Sequence, residues 1–360
     1  MTDHLPARSS APLAPVEADA ESARRFAEAA RSDATLRAYR SDWADFTAWC
    51  DDRGLAAMPA TPETVALYIA SRAEAGPDDE RGRPTAPLKV ATLERRLAAI
   101  SQAHKLAGVE SPALRSREPL HSVWAGVVRT LGAAREKVAP ALASDVVAMA
   151  AACDAAARLG EGAEEAPPGT ALRARRDKAM LLLGFAAALR RSELAAVETG
   201  NLSFSPDGLR LLIPRSKSDQ EGAGQVVGVA YGERAGTCPV RAVRSYLAAA
   251  SRELADQGRP SPLSGPVFRS VDRWGRLGRR AITGRTVANV VKQYAEAAGL
   301  DPSLYAGHSL RAGFATTAAR AGKPDRAIQK QTRHKSAAML AEYVREGRLF
   351  DENASEGIGL

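Results

Sequence analysis

Apolar side chains recur at intervals of three or four residues along most of this 360-residue chain. The first clear run consists of Leu36, Tyr39, Trp43, Phe46 and Cys50. This spacing places the apolar side chains on one face of an α-helix, whereas a half-buried strand would alternate apolar and polar residues. The pattern therefore predicts a mainly helical fold.

Three more helical segments follow before residue 132. Thr61 and Pro62 form the cap and the first position of the second helix, the third contains Leu93 and Leu97, and the fourth begins near Pro119. Four helices within roughly 100 residues predict a small bundle over residues 32–132. Residues 1–31 are rich in Ala, Pro, Ser and charge, which predicts a disordered arm.

The second half of the chain combines helices with one small sheet. Residues 133–142 contain Arg, Lys and Pro, as expected of a linker. Helices are predicted after Ser144-Asp145, at Ala171–Ala188, after Cys238-Pro239, at Thr283–Ala298 and from Ser309 onward. Strands are predicted at Asn201–Phe204, Leu209–Ile213 and Val226–Ala230, the first two joined by the turn-forming Ser-Pro-Asp-Gly.

Composition restricts the compartment and the partner. The formal net charge is +8 and the pI is about 9.6, which favours a polyanionic partner such as nucleic acid. The cysteines Cys50, Cys153 and Cys238 lie far apart, which argues against a disulfide framework or a zinc site and favours a reducing cytoplasm. No apolar run approaches the ~20 residues that a membrane-spanning helix needs. The N-terminus also lacks the pattern of a signal peptide, and no glycine-rich phosphate loop occurs.

Several polar residues of the second half stand in a specific order. Arg190 and Glu193 lie in Leu-Arg-Arg-Ser-Glu, and Lys217 lies in Arg-Ser-Lys-Ser. The later members are His308 and Arg311 in Ala-Gly-His-Ser-Leu-Arg, His334 after Arg333, and Tyr343 nine residues after His334. Taken together, this order resembles that of the tyrosine recombinase (phage integrase) family over residues 140 to 345 or so.

The resemblance implies a fold and an architecture. The fold would be mainly α with a small antiparallel β-sheet. A helical bundle over residues 32–132 would form the core-DNA-binding domain, and an α+β catalytic domain would span residues 143–345. In the family these two domains form a C-shaped clamp around duplex DNA. The tail, residues 346–360, would either dock on a neighbouring protomer or fray.

The resemblance also assigns roles, which suit the chemistry of an anionic phosphodiester. Arg190 and Arg311 would hold its non-bridging oxygens with paired N–H groups. From the residues alone Arg191 is an alternative to Arg190, and the family pattern, with Glu193 as orienting partner, selects Arg190. Tyr343 would be the nucleophile and form a 3′-phosphotyrosine, so that rejoining would need no ATP, metal or other cofactor.

The remaining members would handle protons. Lys217 would protonate the departing 5′ oxygen. His308 would take the proton of the tyrosine or bond a phosphate oxygen, and His334 would donate to a non-bridging oxygen. Arg333 stands where the family commonly has glycine, which would either alter the turn or add a phosphate contact. Taken singly, each position also suits a bland role, such as a solvated arginine or a packing tyrosine. The six positions in order, Arg190 to Tyr343, favour the functional interpretation.

These observations predict a site-specific DNA recombinase. It would bind double-stranded DNA with inverted half-sites and assemble as a tetramer on two duplexes, in the cytoplasm and without a membrane partner. Two alternatives stay open: a DNA-binding relative that has lost catalysis, and a type IB topoisomerase-like enzyme that nicks and reseals one duplex. No carboxylate cluster stands out in the sequence, which disfavours a metal-dependent nuclease.

Overall fold

The structure is a computed structural model of the full chain. It describes residues 33–76, 86–132, 138–162, 166–214, 224–334 and 336–348, together with Asp19 and Ser22. The chain divides into two compact units, Met1–Glu136 and Lys137–Leu360. The division falls inside the predicted linker, residues 133–142. The predicted arm and most of the predicted tail lie outside the described residues, apart from Asp19, Ser22 and the first residues of the tail.

The first unit contains the four predicted helices: α1 (Asp33–Asp51), α2 (Pro62–Ala73), α3 (Val90–Leu106) and α4 (Leu120–Leu131). Thr61 caps α2, because its hydroxyl accepts a hydrogen bond from the backbone N–H of Thr64 at 3.2 Å. The core of this unit comes from the apolar faces of these helices and includes Phe46, Tyr68 and Ile69, all fully buried.

A cluster of charged side chains joins the first three helices. Its members, here called the Asp42–Asp45 cluster, are Asp42, Asp45, Tyr68, Arg72, Arg95 and Arg96. Asp45 accepts hydrogen bonds from Tyr68 at 2.6 Å, from both Nε and Nη2 of Arg72, and from Arg96. Asp42 accepts two hydrogen bonds from Arg95, at 2.7 and 3.0 Å. Two carboxylates therefore neutralise much of the charge of three guanidinium groups.

The second unit is built around a buried helix. Its first two helices are α5 (Ala143–Gly162) and α6 (Thr170–Ala186), and α6 packs against α5, α8 (Pro239–Asp256) and α10 (Ser309–Arg320). Residues 179–184 of α6 are all buried. Such burial on every side is typical of a central core helix. The end of α6 is thereby fixed, and the chain that follows it starts from a rigid element.

Four further helices of this unit are α7 (Arg191–Ala195), α9 (Gly284–Ala297), α11 (Asp325–Thr332) and α12 (Ala337–Gly347). The helical region predicted from Ser309 is thus divided into three helices. The first break lies between Arg320 and Asp325. It contains Gly322, whose φ of 67° is left-handed, and Pro324, which directly precedes α11. Gly313 in α10 permits a close approach, because a Cβ there would lie 1.7 Å from the carbonyl oxygen of Ala141. The chain entering α5 therefore lies directly against α10.

The predicted antiparallel sheet is confirmed, in the order β1 (Leu202–Ser205), β2 (Gly208–Ile213) and β3 (Gln225–Ala230). Its register pairs Phe204 with Leu209 and Leu211 with Val227. Leu209, Leu211 and Ile213 alternate inward to the core, as a half-buried strand requires. Residues 215–223, between β2 and β3, lie outside the described residues, and Lys217 is among them.

A second sheet was not expected from the sequence, which predicted only one. The strands β4 (Arg269–Val271) and β5 (Leu277–Ala281) pair antiparallel. The Asp272 carboxylate orders the turn between them by accepting from the N–H groups of Trp274 and Arg276, both at 2.9 Å. A strand of three residues is too short to show an apolar alternation, so no sequence pattern indicates this hairpin.

The fold class, mainly α with small antiparallel sheets, is confirmed. The three cysteines are buried and free. Among the helices that can be described, none combines the length and the apolar character needed to span a membrane.

Candidate active site

The turn that follows α6 supplies backbone carbonyls to the site. The N–H groups of Ala188 and Leu189 donate to the carbonyls of Phe185 and Gly184, at 2.9 and 3.0 Å, and close the end of the helix. Ala188 has a φ of 47°, in the left-handed region that residues with a Cβ rarely adopt. This turn leaves the carbonyl oxygens of Ala187 and Ala188 available to guanidinium groups, which bond to both of them.

Arg190 comes next and is held by Glu193. The backbone N–H of Arg190 donates to Oε2 of Glu193 at 2.9 Å, and its Nη1 donates to Oε1 at 2.6 Å. Burial raises the pKa of the Glu193 carboxyl. The N–H of Arg190 and the charges of Arg333 and Arg190 lower it further than burial raises it. Glu193 is therefore an ionised carboxylate that fixes Arg190, whose side chain is 21% exposed.

Arg311 projects from α10 into the same cluster. It is 1% exposed, and its Nη1 donates to the carbonyl of Ala188 at 2.8 Å. Its buried Nη2 has no hydrogen-bond partner among the described residues. Burial lowers the pKa of Arg311 to about 9, and the charges of Arg190 and Arg333 add to that effect. The guanidinium is still charged at neutral pH and has an unused donor, which an anion would satisfy.

Arg333 stands at the position where the family commonly has glycine. Its backbone is left-handed, with φ 57° and ψ 40°, so the turn keeps the conformation that glycine favours. Its side chain is buried and donates to Ala187, Ala188, Gln331 and Glu193. The turn thus has the backbone conformation that glycine favours, and the terminal nitrogens of the guanidinium are hydrogen-bonded within the protein.

Tyr343 lies between the two histidines. The tyrosine hydroxyl is 2.9 Å from Nε2 of His308. On the other side, the ring of His334 stacks on the tyrosine ring, with centroids 5.8 Å apart and planes 13° from parallel. The pKa of His308 is lowered by partial desolvation of its ring and by the charges of Arg311 and Arg190. A neutral His308 at neutral pH can accept the proton of Tyr343.

The tautomer of His334 follows from its neighbour Thr332. The single hydroxyl hydrogen of Thr332 points to the carbonyl of Ile328 at 2.8 Å. The hydroxyl oxygen is therefore the acceptor in its 3.0 Å contact with Nδ1 of His334. Burial, followed by nearby charges of which Arg311 is the largest, lowers the pKa of His334 to about 4. At neutral pH the ring is neutral, with its hydrogen on Nδ1 and a lone pair on Nε2.

A concave surface of about 510 Å³ adjoins His334. It is lined by Gln225, Val226, Arg326, Gln329, Lys330, Arg333 and His334. Arg326 and Lys330 are exposed on α11. The wall of this surface is basic and lies beside the proposed nucleophile.

The structure brings together Arg190, Glu193, His308, Arg311, His334 and Tyr343 of the predicted site. Lys217 lies outside the described residues, and its placement stays a prediction. Sequence reasoning missed the inward role of Arg333 and the contribution of Thr332. The replacement of a glycine by Arg333 was the one visible signal. Among the described residues, no group of His, Cys, Asp and Glu has the arrangement of a metal site.

The family model described as "Phage integrase family" matches residues 166–348, more than half of the chain. The chain belongs to this family. Its members, the tyrosine recombinases, are DNA strand-transferring enzymes, and this enzyme class agrees with the arginine–histidine–tyrosine site. The resemblance noted in the sequence is thereby confirmed.

Relatives of full length support the assignment. An integrase/recombinase xerD homolog of Selenomonas ruminantium is 35% identical over 333 residues, which cover 92% of this chain and 87% of the relative. The tyrosine recombinase XerD of Bradyrhizobium diazoefficiens is 28% identical over 317 residues, covering 88% and 87%. Both alignments extend beyond the family match into the first unit.

Solved structures show the same fold. A crystal structure of a lambda integrase dimer bound to a COC′ core site aligns over 88% of this chain and 90% of its own, with a TM-score of 0.50 and 15% identity. A Tn1549 transposon integrase in complex with transposon right end DNA aligns over 89% and 92%, with a TM-score of 0.53 and 13% identity. At such identities the likeness concerns the fold alone.

Proposed function

We propose that the chain is a site-specific DNA recombinase that cleaves and rejoins strands through a 3′-phosphotyrosyl intermediate. The observation that carries this proposal is the 2.9 Å contact between the Tyr343 hydroxyl and Nε2 of His308. That contact lies beside guanidinium groups whose charge Glu193 only partly neutralises. A nucleophile, a proton acceptor and a site for an anion are thus adjacent, as attack on a phosphodiester requires.

The cleavage step can be written with these residues. Tyr343 gives its proton to Nε2 of His308, and its oxygen bonds to phosphorus. The bond from phosphorus to the 5′ oxygen breaks, and that oxygen takes a proton from Lys217. Arg190 and Arg311 hold the non-bridging oxygens, where the unpartnered Nη2 of Arg311 supplies one donor. Rejoining is the reverse, with the 5′ hydroxyl of another strand as the nucleophile.

His334 would donate to a non-bridging oxygen of the phosphate. In the tautomer that the Thr332 contacts favour, the neutral ring has a lone pair on Nε2 and cannot donate from that atom. The doubly protonated ring can donate from Nε2. The negative charge of a bound phosphodiester raises the pKa of the ring and favours that form. We infer that His334 gains its proton when DNA binds.

Double-stranded DNA is the proposed partner. The net charge of +8 and the basic surface beside His334 support it. The two structural neighbours described above were solved with a core site and with transposon right end DNA. The proposal extends to inverted half-sites in the DNA and to a tetramer on two duplexes. In this proposal residues 32–132 form the core-DNA-binding domain and residues 143–345 the catalytic domain.

A trapping experiment tests the proposal. The protein is incubated without metal, in EDTA, with nicked "suicide" duplexes that carry candidate sites from beside its gene. We expect a covalent protein–DNA band on a denaturing gel, and its loss in Tyr343→Phe. Tight binding of a duplex without any band would instead support the silent DNA-binding relative. Relaxation of a supercoiled plasmid that lacks the site would support the topoisomerase-like alternative.

A further inference from the structure

Two residues with a disfavoured backbone meet in the site. Arg333 and Ala188 are the non-glycine residues with positive φ in the part of the chain that the structure describes, at 57° and 47°. Nη2 of Arg333 donates to the carbonyl of Ala188 at 3.2 Å, so the two positions are in direct contact. Backbone conformations of this kind tend to cluster at functional sites, where surrounding contacts hold them. At a helix end such as that of α11, glycine would adopt the conformation without a penalty.

The Arg333 side chain contacts two groups that place other arginines. One is Oε2 of Glu193, at 2.8 Å; the other carboxylate oxygen of Glu193 accepts from Arg190. The second is the carbonyl of Ala188, which also accepts from Nη1 of Arg311 at 2.8 Å. Arg333 is therefore hydrogen-bonded both to the Glu193 carboxylate, here called the anchor of Arg190, and to the Ala188 carbonyl, here called the anchor of Arg311.

Arg333 is not itself placed to bind a phosphate. Its side chain is 4% exposed. Its Nη1 donates to the carbonyls of Ala187 and Gln331, at 3.0 and 2.9 Å, and its Nη2 donates to Ala188 and Glu193. Both terminal nitrogens are thus engaged within the protein, and the remaining donor, Nε, is buried without a partner among the described residues. Arg333 therefore acts on the reaction chiefly through the groups that its terminal nitrogens hold.

We propose that Arg333 is a positioning residue: it clamps the Glu193 carboxylate and the Ala188 carbonyl, and thereby fixes the guanidinium groups of Arg190 and Arg311. This inference rests on the proposed function, because the two guanidiniums are those that would hold the phosphate. A glycine at this position would relax the backbone but could hold neither anchor.

The charge of Arg333 has a second consequence. Glu193 is close enough to raise the pKa of Arg311, whose Nη2 is unpartnered among the described residues. Glu193 accepts from the backbone N–H and Nη1 of Arg190 and from Nη2 of Arg333, so Arg333 adds to the contacts that keep the carboxylate on the side of Arg190.

Single-turnover cleavage of the nicked suicide duplex tests this role. At saturating protein, we expect Arg333→Gly to cleave about 10–100-fold more slowly, since displacements near 1 Å can have effects of this size. The Kd for the duplex should stay unchanged, because the side chain is buried. Arg333→Lys should recover part of the rate, since an ammonium keeps the charge but cannot bond both anchors. Arg320→Gly, an exposed arginine in the last turn of α10, is the matched control and should keep the wild-type rate.

A cycle with Glu193→Gln separates positioning from simple stabilisation. If Arg333 acts partly through Glu193 and partly through the Ala188 carbonyl, the loss of rate in the double variant Glu193→Gln/Arg333→Gly should exceed that of Glu193→Gln alone but stay below the product of the two single losses. Fully multiplicative losses would overturn the proposal. So would a wild-type rate in Arg333→Gly, even with a lower Tm, because the residue would then only stabilise the fold.

Failure of the proposed function is distinguishable from failure of this inference. If the wild-type protein forms no Tyr343-dependent product on any duplex, the chemistry is wrong, and crystal structures decide the positioning separately. Displacement of the Arg190 and Arg311 guanidiniums in Arg333→Gly would support the clamp. Unchanged guanidinium positions would refute it.

Discussion

Each unit of the chain has a cluster of three arginines with carboxylate partners, and the two clusters differ in the number of carboxylates. The Asp42–Asp45 cluster of the first unit has two carboxylates. The site cluster of the second unit, Arg190, Glu193, Arg311 and Arg333, has one. In the first, a hydrogen bond to Asp42 raises the pKa of Arg95. In the second, burial and neighbouring positive charges lower the pKa of Arg311 to about 9. A deficit of carboxylate, rather than the number of arginines, marks the place for an anion.

The backbones around the clusters differ as well. The Asp42–Asp45 cluster lies on the helices α1, α2 and α3, where the carbonyl oxygens are used within the helices. The site cluster packs against a left-handed turn, whose carbonyls at Ala187 and Ala188 accept from Arg311 and Arg333. The first cluster therefore ties helices together, while the second holds guanidiniums in place and neutralises them only in part.

The largest effect is expected for Arg311→Lys. A lysine keeps the positive charge but loses the second donor, so single-turnover cleavage should fall about 10²–10³-fold, as for other transition-state donors. The matched control is Arg96→Lys in the Asp42–Asp45 cluster, which should lower the Tm and leave the cleavage rate of the folded protein unchanged. Equal losses of cleavage in the two variants would break the contrast.

A smaller effect, on stability alone, is expected for Asp45→Asn. Asp45 accepts from Tyr68, Arg72 and Arg96. Loss of its charge should lower the free energy of unfolding by about 1–2 kcal/mol, allowing for partial exposure. Urea unfolding measures this change.

The exposed pair of Arg115 and Glu94, whose charged atoms are 2.7 Å apart, provides the control for Asp45→Asn. Glu94→Gln should change the free energy of unfolding by less than about 0.5 kcal/mol. If Asp45→Asn slowed cleavage at saturating protein while leaving stability intact, the first cluster would have a role in the chemistry that the comparison denies it.

An effect of similar size concerns the pH dependence of stability. His334 has a pKa of about 4 in the fold against an ordinary value of 6.5. Between these values the unfolded chain binds a proton that the folded chain does not. The contribution of the neutral His334 ring to the free energy of unfolding is therefore complete above pH 6.5 and is lost as the pH falls towards 4. For this half-buried ring, we expect the free energy of unfolding to fall by about 1–2 kcal/mol.

Urea unfolding of wild type and His334→Gln at several pH values isolates this contribution, since other titrating groups are common to both. The variant should depend less on pH between 4 and 6.5. Identical curves for wild type and His334→Gln would show that the ring is not desolvated.

Much of the fold followed from local patterns. The first unit contains the four predicted helices, and the three strands from Leu202 to Ala230 appear within one residue of their predicted ends, because strong periodicity and turn residues mark them. The hairpin of β4 and β5 could not be predicted from local patterns, because its strands are short and rich in arginine. The break after Gly322 was signalled by Gly322 and Pro324 themselves.

The site was predictable in its members and unpredictable in its contacts. The order of residues from Arg190 to Tyr343 pointed to the set, and the role of each stays a prediction. No local pattern indicates that Arg333 adopts a left-handed backbone and turns inward, because its partners Glu193 and Ala188 lie about 140 residues earlier. The same holds for the carbonyls that orient Arg311, since backbone acceptors carry no sequence signature.

The most direct test of the account is the chemical identity of the trapped adduct. Trypsin cleavage after Lys335 and Arg345 yields a peptide of residues 336–345 with Tyr343 as its one tyrosine. After nuclease digestion, mass spectrometry should find this peptide carrying a nucleotide through its 3′ phosphate, while the released strand has a 5′ hydroxyl. An adduct on any other residue, or a linkage through a 5′ phosphate, would contradict the assignment of Tyr343 and the arginine cluster that surrounds it.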